Sequence, residues 1–265
     1  MNILYIGDVM GEVGLEVVEE VLPTLINEEK IDLVIAQAEN VTGGKGTSIA
    51  DFKRLLKAGV DFCSGGNWSL TNREIYPALQ DPKQPIIRPA NYPEGTPGLG
   101  QKLIAKNGKT TLVASLQGKI VGKDAGLQLD NPLKVIDKIL SEYQDQELDA
   151  IVVNFHGDYS SEKVIIGHYL DGRVNLVVGD HWHVPTADAR ILPRGTAHIT
   201  DIGMCGALNA SLGISLESVL PRWRDNIKTK NLLETNGPRQ FNAVLINCDK
   251  PNRTNSIKQI QKTLG

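Results

Sequence analysis

The sequence predicts an α/β fold, and three observations carry this prediction. Short apolar runs of strand length alternate along the chain with longer segments of helical periodicity. Each of these runs stops at a glycine or a polar residue, as strands do. Of the 265 residues, 41% are hydrophobic, which supplies enough apolar surface for a sizeable core. Together these features are typical of a protein that buries its sheets between helices.

Five strands and four helices are predicted where the pattern is clearest. The predicted strands are residues 2–7, 32–38, 61–65, 150–155 and 174–179. The predicted helices are residues 14–28, 48–58, 132–144 and 160–170. Ser48 can cap the second helix and Gly59 can end it, while Ser160 or Ser161 can begin the fourth helix.

The middle and the end of the chain add strands that belong to more than one sheet. Residues 89–100 contain three prolines and three glycines, which predicts a rigid surface loop. Asn107-Gly108 separates two apolar runs, at residues 102–105 and 110–116, and predicts a β-hairpin. Further strands are predicted at residues 197–200, 241–247 and 256–261. Since no repeat or long linker divides the chain, we expect a single domain over residues 1–265.

Composition and charge exclude several classes of function. The formal net charge is −3, so bulk binding to a nucleic-acid backbone is not expected. No apolar run approaches the roughly 18–20 residues that span a bilayer, and the N-terminal residues show no signal-peptide pattern. Cys63, Cys205 and Cys248 are far apart in the sequence, which favours neither a disulfide framework nor a metal knuckle. We therefore expect a cytoplasmic protein.

The ends of five predicted strands carry side chains that bind metals. These residues are Asp8, Glu39, Asn40, Asn67, His156, His181 and His183. The carboxyl ends of strands line the functional crevice of open α/β sheets, so we expect these groups to converge. Oxygen ligands mixed with imidazoles suit Mn, Fe or Zn. Each residue also has a structural interpretation, for example a turn at Asp8 or Asn67, and it is the joint arrangement that indicates a metal site.

His181 and His183 are the most specific part of this pattern. Alternate residues of an extended segment point to the same side, so an extended segment here would direct both imidazoles into one site.

The same residues lie in motifs that resemble those of the YmdB-like metallophosphoesterases. The motifs are Gly7-Asp8-Val9-Met10-Gly11, Ala38-Glu39-Asn40, Gly66-Asn67, Arg88-Pro89-Ala90-Asn91-Tyr92, Gly95-Thr96-Pro97-Gly98, Phe155-His156, Ser160-Ser161-Glu162-Lys163, Asp171-Gly172-Arg173-Val174, His181-Trp182-His183-Val184-Pro185-Thr186-Ala187-Asp188 and Ile199-Thr200-Asp201-Ile202-Gly203-Met204. They occur in the family's order and extend from residue 2 to about residue 206, with a less distinct match beyond.

This resemblance implies a calcineurin-like fold, a four-layer sandwich of two mixed β-sheets flanked by helices. It also implies a binuclear metal-dependent phosphodiesterase that hydrolyses 2′,3′-cyclic nucleotides, small-molecule substrates. One divalent ion would take Asp8, Glu39 and His183. The other would take Glu39, Asn67, His156 and His181, so that Glu39 bridges the two. Fe or Mn fits this donor set best, with Zn or Mg as alternatives. The sequence is compatible with either a monomer or a homo-oligomer.

The sequence departs from the family pattern at residues that bear on catalysis. Met10 stands where the wider superfamily has a histidine ligand, which leaves the first ion one protein ligand short. Trp68 stands where the family has its general-acid histidine, and an indole N–H is no usable acid near neutral pH. The candidate catalytic residues are Asn40, Trp68 in the position of the acid, and Asp180. Asp158 or Asp180 can substitute as an acid, or the two carboxylates can merely tune the metals.

Two further interpretations stay open. Loss of a positioned general acid typically costs about 10²–10⁴-fold in rate, so the enzyme is expected to be slow. The alternative is a catalytically impaired protein that binds metal and nucleotide as a sensor or scaffold. Arg88 can hold phosphate or serve a surface or capping role, and Trp68 and Trp182 can stack a base or pack against the rim of the site.

Overall fold

A computed structural model describes residues 1–122 and 125–265 of the chain. Among them the strands are, in chain order, β1 (Asn2–Ile6), β2 (Asp8–Val9), β3 (Leu33–Gln37), β4 (Phe62–Ser64), β5 (Gln101–Lys106), β6 (Lys109–Gln117), β7 (Ala150–His156), β8 (Leu176–Asp180), β9 (Arg190–Ile191), β10 (Ala197–Ile199), β11 (Met204–Ala207), β12 (Arg239–Asn247) and β13 (Ser256–Leu264). The helices are α1 (Gly11–Glu28), α2 (Ile49–Ala58), α3 (Tyr76–Gln80), α4 (Pro132–Glu142), α5 (Ser160–Tyr169) and α6 (Leu216–Asp225), and a short 3₁₀ helix covers Arg73–Ile75.

The strands form two mixed sheets. The first has the order β2-β11-β12-β1-β3-β4, with β13 also pairing β12, and β1, β3 and β4 run parallel to one another. The second has the order β5-β6-β7-β8-β10-β9, in which β6, β7, β8 and β10 are parallel. The outer pairs β5–β6 and β9–β10 are antiparallel.

The two sheets pack face to face with helices on the outside, as residues of β1 illustrate. Ile3 and Tyr5 belong to a core between the sheets, together with residues of β3, β6, β7 and β8. Leu4 and Ile6 belong to a second core, beneath α1, α2 and α3. A third core lies between the second sheet, α4 and α5. Because both faces of the central strands β1, β3 and β8 are covered, their sequences are mostly apolar. The predicted four-layer sandwich is confirmed.

The helix ends follow the sequence closely at α2 and less closely elsewhere. Ser48 caps α2, its hydroxyl accepting a hydrogen bond from the Asp51 amide at 3.0 Å, and Gly59 ends the helix at φ = 110°. Helix α5 begins at Ser160 as predicted, but its capping position is Tyr159, whose side chain makes no capping hydrogen bond. Helix α1 begins at Gly11, three residues before the predicted start, and continues through Pro23.

The loop at residues 89–100 is only partly at the surface, contrary to the expectation. Asn91 and Tyr92 are buried, and so is the neighbouring Arg88. The Arg88 guanidinium donates to the carbonyl oxygens of Pro89, Thr96 and Pro97. Arg88 therefore fixes this loop, and its donors are not directed at a phosphate. No helix in the described ranges is long and apolar enough to cross a membrane.

Candidate metal centre

The ends of five strands bring the predicted ligands to one edge of the two sheets. Asp8 opens β2, directly after β1, and Glu39 and Asn67 follow β3 and β4. His156 is the last residue of β7, and the segment after β8 supplies His181 and His183. Since β1, β3 and β4 are parallel in one sheet and β7 and β8 in the other, their carboxyl ends meet at the same end of the sandwich.

Four of these residues form a tight group that we call the Glu39 cluster: Glu39, Asn67, His156 and His181. His156 Nε2 lies 3.0 Å from Glu39 Oε1 and 2.7 Å from Asn67 Oδ1. Ligand atoms of Glu39, His156 and His181 all lie within 4.8 Å of one another. The two imidazole rings meet edge to face with 4.5 Å between their centroids. One cation can therefore contact all these donors with little rearrangement.

The remaining two ligands, Asp8 and His183, form a looser group that we call the Asp8 pair. His183 Nε2 lies 3.7 Å from Asp8 Oδ1. The other ring nitrogen, Nδ1, donates to the carbonyl oxygen of Leu212 at 3.2 Å, which directs Nε2 towards Asp8. Met10 lines the same cavity, two residues after Asp8.

The buried carboxylates fit a bound cation. Asp8 is fully buried and Glu39 is 1% exposed. Among the described residues, no group forms a hydrogen bond of proper geometry with Asp8 Oδ1 or Glu39 Oε1, although His156 Nε2 lies 3.0 Å from the latter. Burial, reinforced by the charge of Asp180, raises the pKa of Asp8 well above its usual value. Buried anionic oxygens without donors are costly, and a cation is the partner that removes this cost.

The imidazoles are held in the form that binds metals. Burial, with a smaller contribution from His156, lowers the pKa of His181 to about 2. Burial also lowers the pKa of His183 to about 4. Both rings are therefore neutral at physiological pH, which is the state a metal requires.

Asp180 lies behind His156 and does not face the cavity. It is fully buried, and its Oδ1 lies 2.7 Å from His156 Nδ1. Its other oxygen accepts hydrogen bonds from Gln37 and Asn154. Burial lowers the pKa of His156, but the carboxylates of Glu39 and Asp180 outweigh it and raise that pKa overall. Asp180 therefore orients His156 from behind, in keeping with the second of the two roles that the sequence left open, and it does not line the cavity where a substitute acid would act.

The segment with both histidines is not extended, so the argument from alternation was wrong. His181 and His183 have φ angles of 98° and 61°, in a region that residues other than glycine rarely adopt. They reach the site because two left-handed residues turn the backbone on either side of Trp182. Backbone of this kind is retained where the surroundings enforce it, and it concentrates at functional sites.

A buried lysine holds this segment in place. Lys163 is fully buried; its Nζ donates to the carbonyl oxygen of Asp180 and, at 2.6 Å, to Asp201 Oδ2. The same Asp201 oxygen accepts the Trp182 amide at 2.9 Å, and the Trp182 ring lies over the ammonium at 4.2 Å. Sequence reasoning assigned no role to Lys163 or Asp201, although both lie in the quoted family motifs.

Gly66 allows the second sheet to approach Asn67. A Cβ at residue 66 would lie 2.4 Å from the His156 ring, so a side chain there would displace the ligand. The Gly66 carbonyl oxygen accepts a hydrogen bond from the Tyr92 hydroxyl at 3.2 Å. The Gly-Asn dipeptide therefore joins the loop at residues 89–100 to the Glu39 cluster.

Above the ligands lies a cavity of about 1100 Å³. Asn67, His181 and His183 lie at its base, and other predicted site residues form its walls. Trp68 is bound through its amide, which donates to Glu39 Oε2 at 2.8 Å, while its ring lies beneath the Lys45 ammonium at 4.7 Å.

Asn40 and Asp158 also line this cavity. The Asn40 amide donates to the Gly44 carbonyl oxygen at 3.0 Å, and among the described residues Asn40 Oδ1 has no hydrogen-bond donor. Asp158 Oδ1 lies 3.3 Å from His181 Nε2, and its other oxygen accepts the Val121 amide at 2.6 Å. Among the described residues, Asp158 and not Asp180 is therefore the carboxylate outside the predicted ligand set that faces the cavity.

Comparisons with known proteins identify the family and the fold of this chain. The model of the YmdB-like protein family matches residues 4–260. A Bacillus subtilis protein named 2′,3′-cyclic-nucleotide 2′-phosphodiesterase is 36% identical over 264 residues, covering 100% of this chain and 97% of that protein. The crystal structure of a hypothetical protein from Thermus thermophilus matches with a TM-score of 0.90 at 35% identity, covering 100% of both chains. A 5′-nucleotidase precursor from the same organism matches with a TM-score of 0.59 at 12% identity, over 100% of this chain and 54% of the other, which concerns the fold alone.

Proposed function

Since the chain belongs to the YmdB-like protein family, we propose that it is a binuclear metal-dependent phosphodiesterase that hydrolyses 2′,3′-cyclic nucleotides. One observation carries the proposal. Two groups of metal-binding side chains meet beneath one cavity, and each contains a buried carboxylate oxygen that no donor in the described residues satisfies. The activity named for the Bacillus subtilis relative gives the substrate class.

Six residues would hold the two ions. The Glu39 cluster would hold one ion, and the Asp8 pair together with Glu39 would hold the other, so that Glu39 would be shared by both. The distances within the two groups and the neutral state of His181 and His183 support this assignment. The mixture of carboxylate, amide and imidazole donors suits Fe or Mn, with Zn or Mg as alternatives.

The residues around the ions determine how the cyclic diester reacts. Water forms a new P–O bond, one P–O bond to a ribose oxygen breaks, and a proton ends on that oxygen. Two bound ions lower the pKa of a water and neutralise phosphate oxygens. The chain fixes the donors: Asp180 orients His156, Leu212 orients His183, and the Trp68 amide binds Glu39.

Proton delivery to the leaving oxygen is the weak step of this site. The side chain of residue 68 lines the cavity, but an indole supplies no proton near neutral pH. Asp180 is buried behind His156, so among the described residues Asp158 is the carboxylic group on the cavity wall. We therefore expect slow turnover of substrates whose leaving oxygen needs a proton.

The same residue supports a second candidate, a metal- and nucleotide-binding protein that does not catalyse. Trp68 occupies the position of the acid while its amide still supports Glu39. Metal binding can therefore survive where turnover does not. On either interpretation the partner is a small phosphodiester or nucleotide, and we retain the expectations of a cytoplasmic location and a single domain over residues 1–265.

The deciding experiment is an assay of the purified protein with its metal content measured by elemental analysis. We expect two metal equivalents after loading with Mn or Fe, and metal-dependent hydrolysis of 2′,3′-cyclic AMP in preference to 5′-AMP. Preference for 5′-AMP would indicate a nucleotidase, and a protein that stays metal-free would contradict the binuclear site. Full loading with nucleotide binding but no turnover would favour the second candidate.

A further inference from the structure

All the tryptophans of the chain and several cationic side chains line the cavity. The chain has three tryptophans, and Trp68, Trp182 and Trp223 all line this cavity. Its cationic residues are Lys45, Arg222, Lys228 and Lys230. Asp158 is the carboxylate among its described lining residues. The wall is thus cationic although the whole chain has a net charge of −3.

Helix α6 and the residues up to 231 form the outer wall, which we call the α6 arm. Trp223 projects from it with 79% of its surface exposed, an unusual state for so large an aromatic side chain. Arg222 donates to Thr229 Oγ1 at 3.0 Å and to Asn231 Oδ1 at 2.7 Å, which fixes the segment after the helix. The arm is therefore a structured wall.

Lys228 and Lys230 are the free charges of this wall. Both line the cavity on either side of Thr229. Neither forms an ion pair with any residue that the structure describes. Unpaired cations beside exposed aromatic rings are the features with which proteins bind single-stranded nucleic acid: the cations follow the phosphates and the rings stack on bases.

The size of the cavity also favours a ligand larger than a mononucleotide. At about 1100 Å³ it exceeds the range of about 300–1,000 Å³ that is usual for small-molecule sites. A single cyclic nucleotide at the ligand residues would leave space along the α6 arm. A longer substrate would fill that space with further bases and phosphates.

We propose that the preferred substrate is the 3′ end of a single-stranded RNA that terminates in a 2′,3′-cyclic phosphate. This proposal rests on the proposed function and extends it from a mononucleotide to an oligonucleotide. The terminal cyclic diester lies at the ligand residues, and the preceding nucleotides follow the α6 arm, with Trp223 stacking on a base and Lys228 and Lys230 contacting phosphates. Water adds across one P–O bond, and the product is a phosphomonoester end. Only the last few nucleotides are bound, which is compatible with a chain that lacks a basic surface overall.

The test compares 2′,3′-cyclic AMP with a tetra-adenylate that ends in a 2′,3′-cyclic phosphate. We expect kcat/KM for the tetranucleotide to exceed that for the mononucleotide by at least about tenfold, from stacking and phosphate contacts. Trp223→Ala should lower kcat/KM for the tetranucleotide by about 5- to 100-fold, with the mononucleotide unaffected. Trp223→Tyr, which keeps an aromatic ring, should restore most of this loss.

Lys228 and Lys230 can be tested separately through the salt dependence of RNA binding. Lys228→Ala with Lys230→Ala should reduce the slope of log affinity against log salt by about 1.4 for a tetranucleotide with a 3′-phosphate, measured by fluorescence anisotropy. Lys53→Ala with Lys57→Ala is the matched control. These two lysines are exposed on α2 and do not line the cavity, so their loss should leave the slope unchanged.

Binding and turnover together separate the two proposals. Turnover of 2′,3′-cyclic AMP with equal kcat/KM for both substrates would overturn the oligonucleotide proposal and leave the proposed function standing. Failure to hydrolyse either substrate would refute the proposed function, and anisotropy would then decide whether RNA ends bind the arm. Light scattering gives the oligomeric state of the Trp223→Ala variant. If that state changed while the affinity for RNA did not, the α6 arm would be a contact with a second copy of the chain, and the proposal would be overturned.

Discussion

The Glu39 cluster and the Asp8 pair lie beneath the same cavity, yet they are prepared for a metal to different degrees. In the cluster, His156 makes short contacts with both Glu39 and Asn67, and Asp180 holds it from behind. In the pair, Asp8 and His183 are 3.7 Å apart. The cluster draws on strands of both sheets for Glu39, Asn67 and His156, whereas each group takes one histidine, His181 or His183, from the left-handed turn.

This difference indicates an order of binding. A site whose ligands are already oriented loses less conformational freedom when the ion arrives, so the Glu39 cluster should bind first and more tightly. The Asp8 pair has fewer candidate ligands, and Met10, whose thioether is a poor ligand for a hard cation, lines the cavity beside it. Its ion should therefore be the one that exchanges readily. The following predictions test this asymmetry.

The largest effect is expected from Glu39→Gln, which should abolish metal binding at both the Glu39 cluster and the Asp8 pair. A bridging carboxylate contributes to both ions and offsets their repulsion, so both ions should be lost, with activity falling by about 10³-fold or more. Elemental analysis of the variant measures the loss. Asp8→Asn is the control, because it should release the ion of the pair and retain that of the cluster. Retention of both ions by Glu39→Gln would exclude Glu39 as the bridge.

Trp68→His should add a proton donor beside the Glu39 cluster and thereby raise turnover. The Trp68 amide already binds Glu39, and its side chain lines the cavity, so an imidazole there would lie near the leaving oxygen. We expect turnover of 2′,3′-cyclic AMP to rise by about 10–10³-fold, with a smaller gain for aryl esters, which need less protonation.

Trp223→His is the control for this gain. It places the same imidazole in the same cavity, but on the α6 arm away from Glu39. An equal gain from both variants would mean that a histidine anywhere in the cavity suffices. No gain at residue 68 would direct attention to Asp158 as the existing proton donor.

Asp180→Asn should weaken the cluster and spare the pair. Groups that hydrogen-bond the far nitrogen of a ligand histidine typically contribute about 10–100-fold in metal affinity. We expect the ion of the Glu39 cluster to lose affinity by this factor. Titration calorimetry with Mn measures the two affinities. Asp188→Asn is a matched change in a carboxylate that binds Thr186 and Thr200 instead of a ligand histidine, and it should leave both affinities unchanged.

The smallest effect concerns pH and the metal-free protein. The pKa of His156 is raised overall by Glu39 and Asp180 against the effect of burial. A histidine with a raised folded-state pKa contributes stability that is present below about pH 6.5 and lost as pH rises through the raised value. His181 and His183 are already neutral in this window, with pKa values of about 2 and about 4.

We therefore expect the Tm of chelated protein to fall by several degrees as pH rises above about 6.5. The loaded protein should change less, because a metal bound at Nε2 keeps the His156 ring from taking up a second proton in either condition. Differential scanning fluorimetry with and without Mn gives both curves. Parallel curves would show that His156 does not control the stability of the metal-free form.

The sequence predicted the strands of the sandwich where apolar runs are long and interrupted by polar residues. The six candidate ligands are among the residues at those interruptions. The sequence pattern missed β2 and β11 because they are short and β11, Met-Cys-Gly-Ala, has no β-branched residue. It missed α6 because Pro221 lies inside that helix. The metal-binding assignment itself stays a prediction until ions are measured.

Roles that depend on packing could not be read in the same way. Asp180 looked like a free acid next to His181, and only its contacts with Gln37 and Asn154, from two other strands, reveal it as buried. The backbone of His181 and His183 likewise depends on Lys163, which is distant in sequence. Tertiary contacts of this kind override local patterns.

Lys163 has a consequence for how the site opens. The Trp182 amide can exchange its hydrogen with solvent only when its bond to Asp201 breaks, and Asp201 is also the carboxylate partner of the fully buried ammonium. Separating one partner of a buried ion pair typically costs about 3–5 kcal/mol, far more than fraying of an ordinary loop. The turn between the two left-handed histidines should therefore exchange as slowly as the strands beneath it. In a native-state hydrogen-exchange profile, this irregular segment would group with the core.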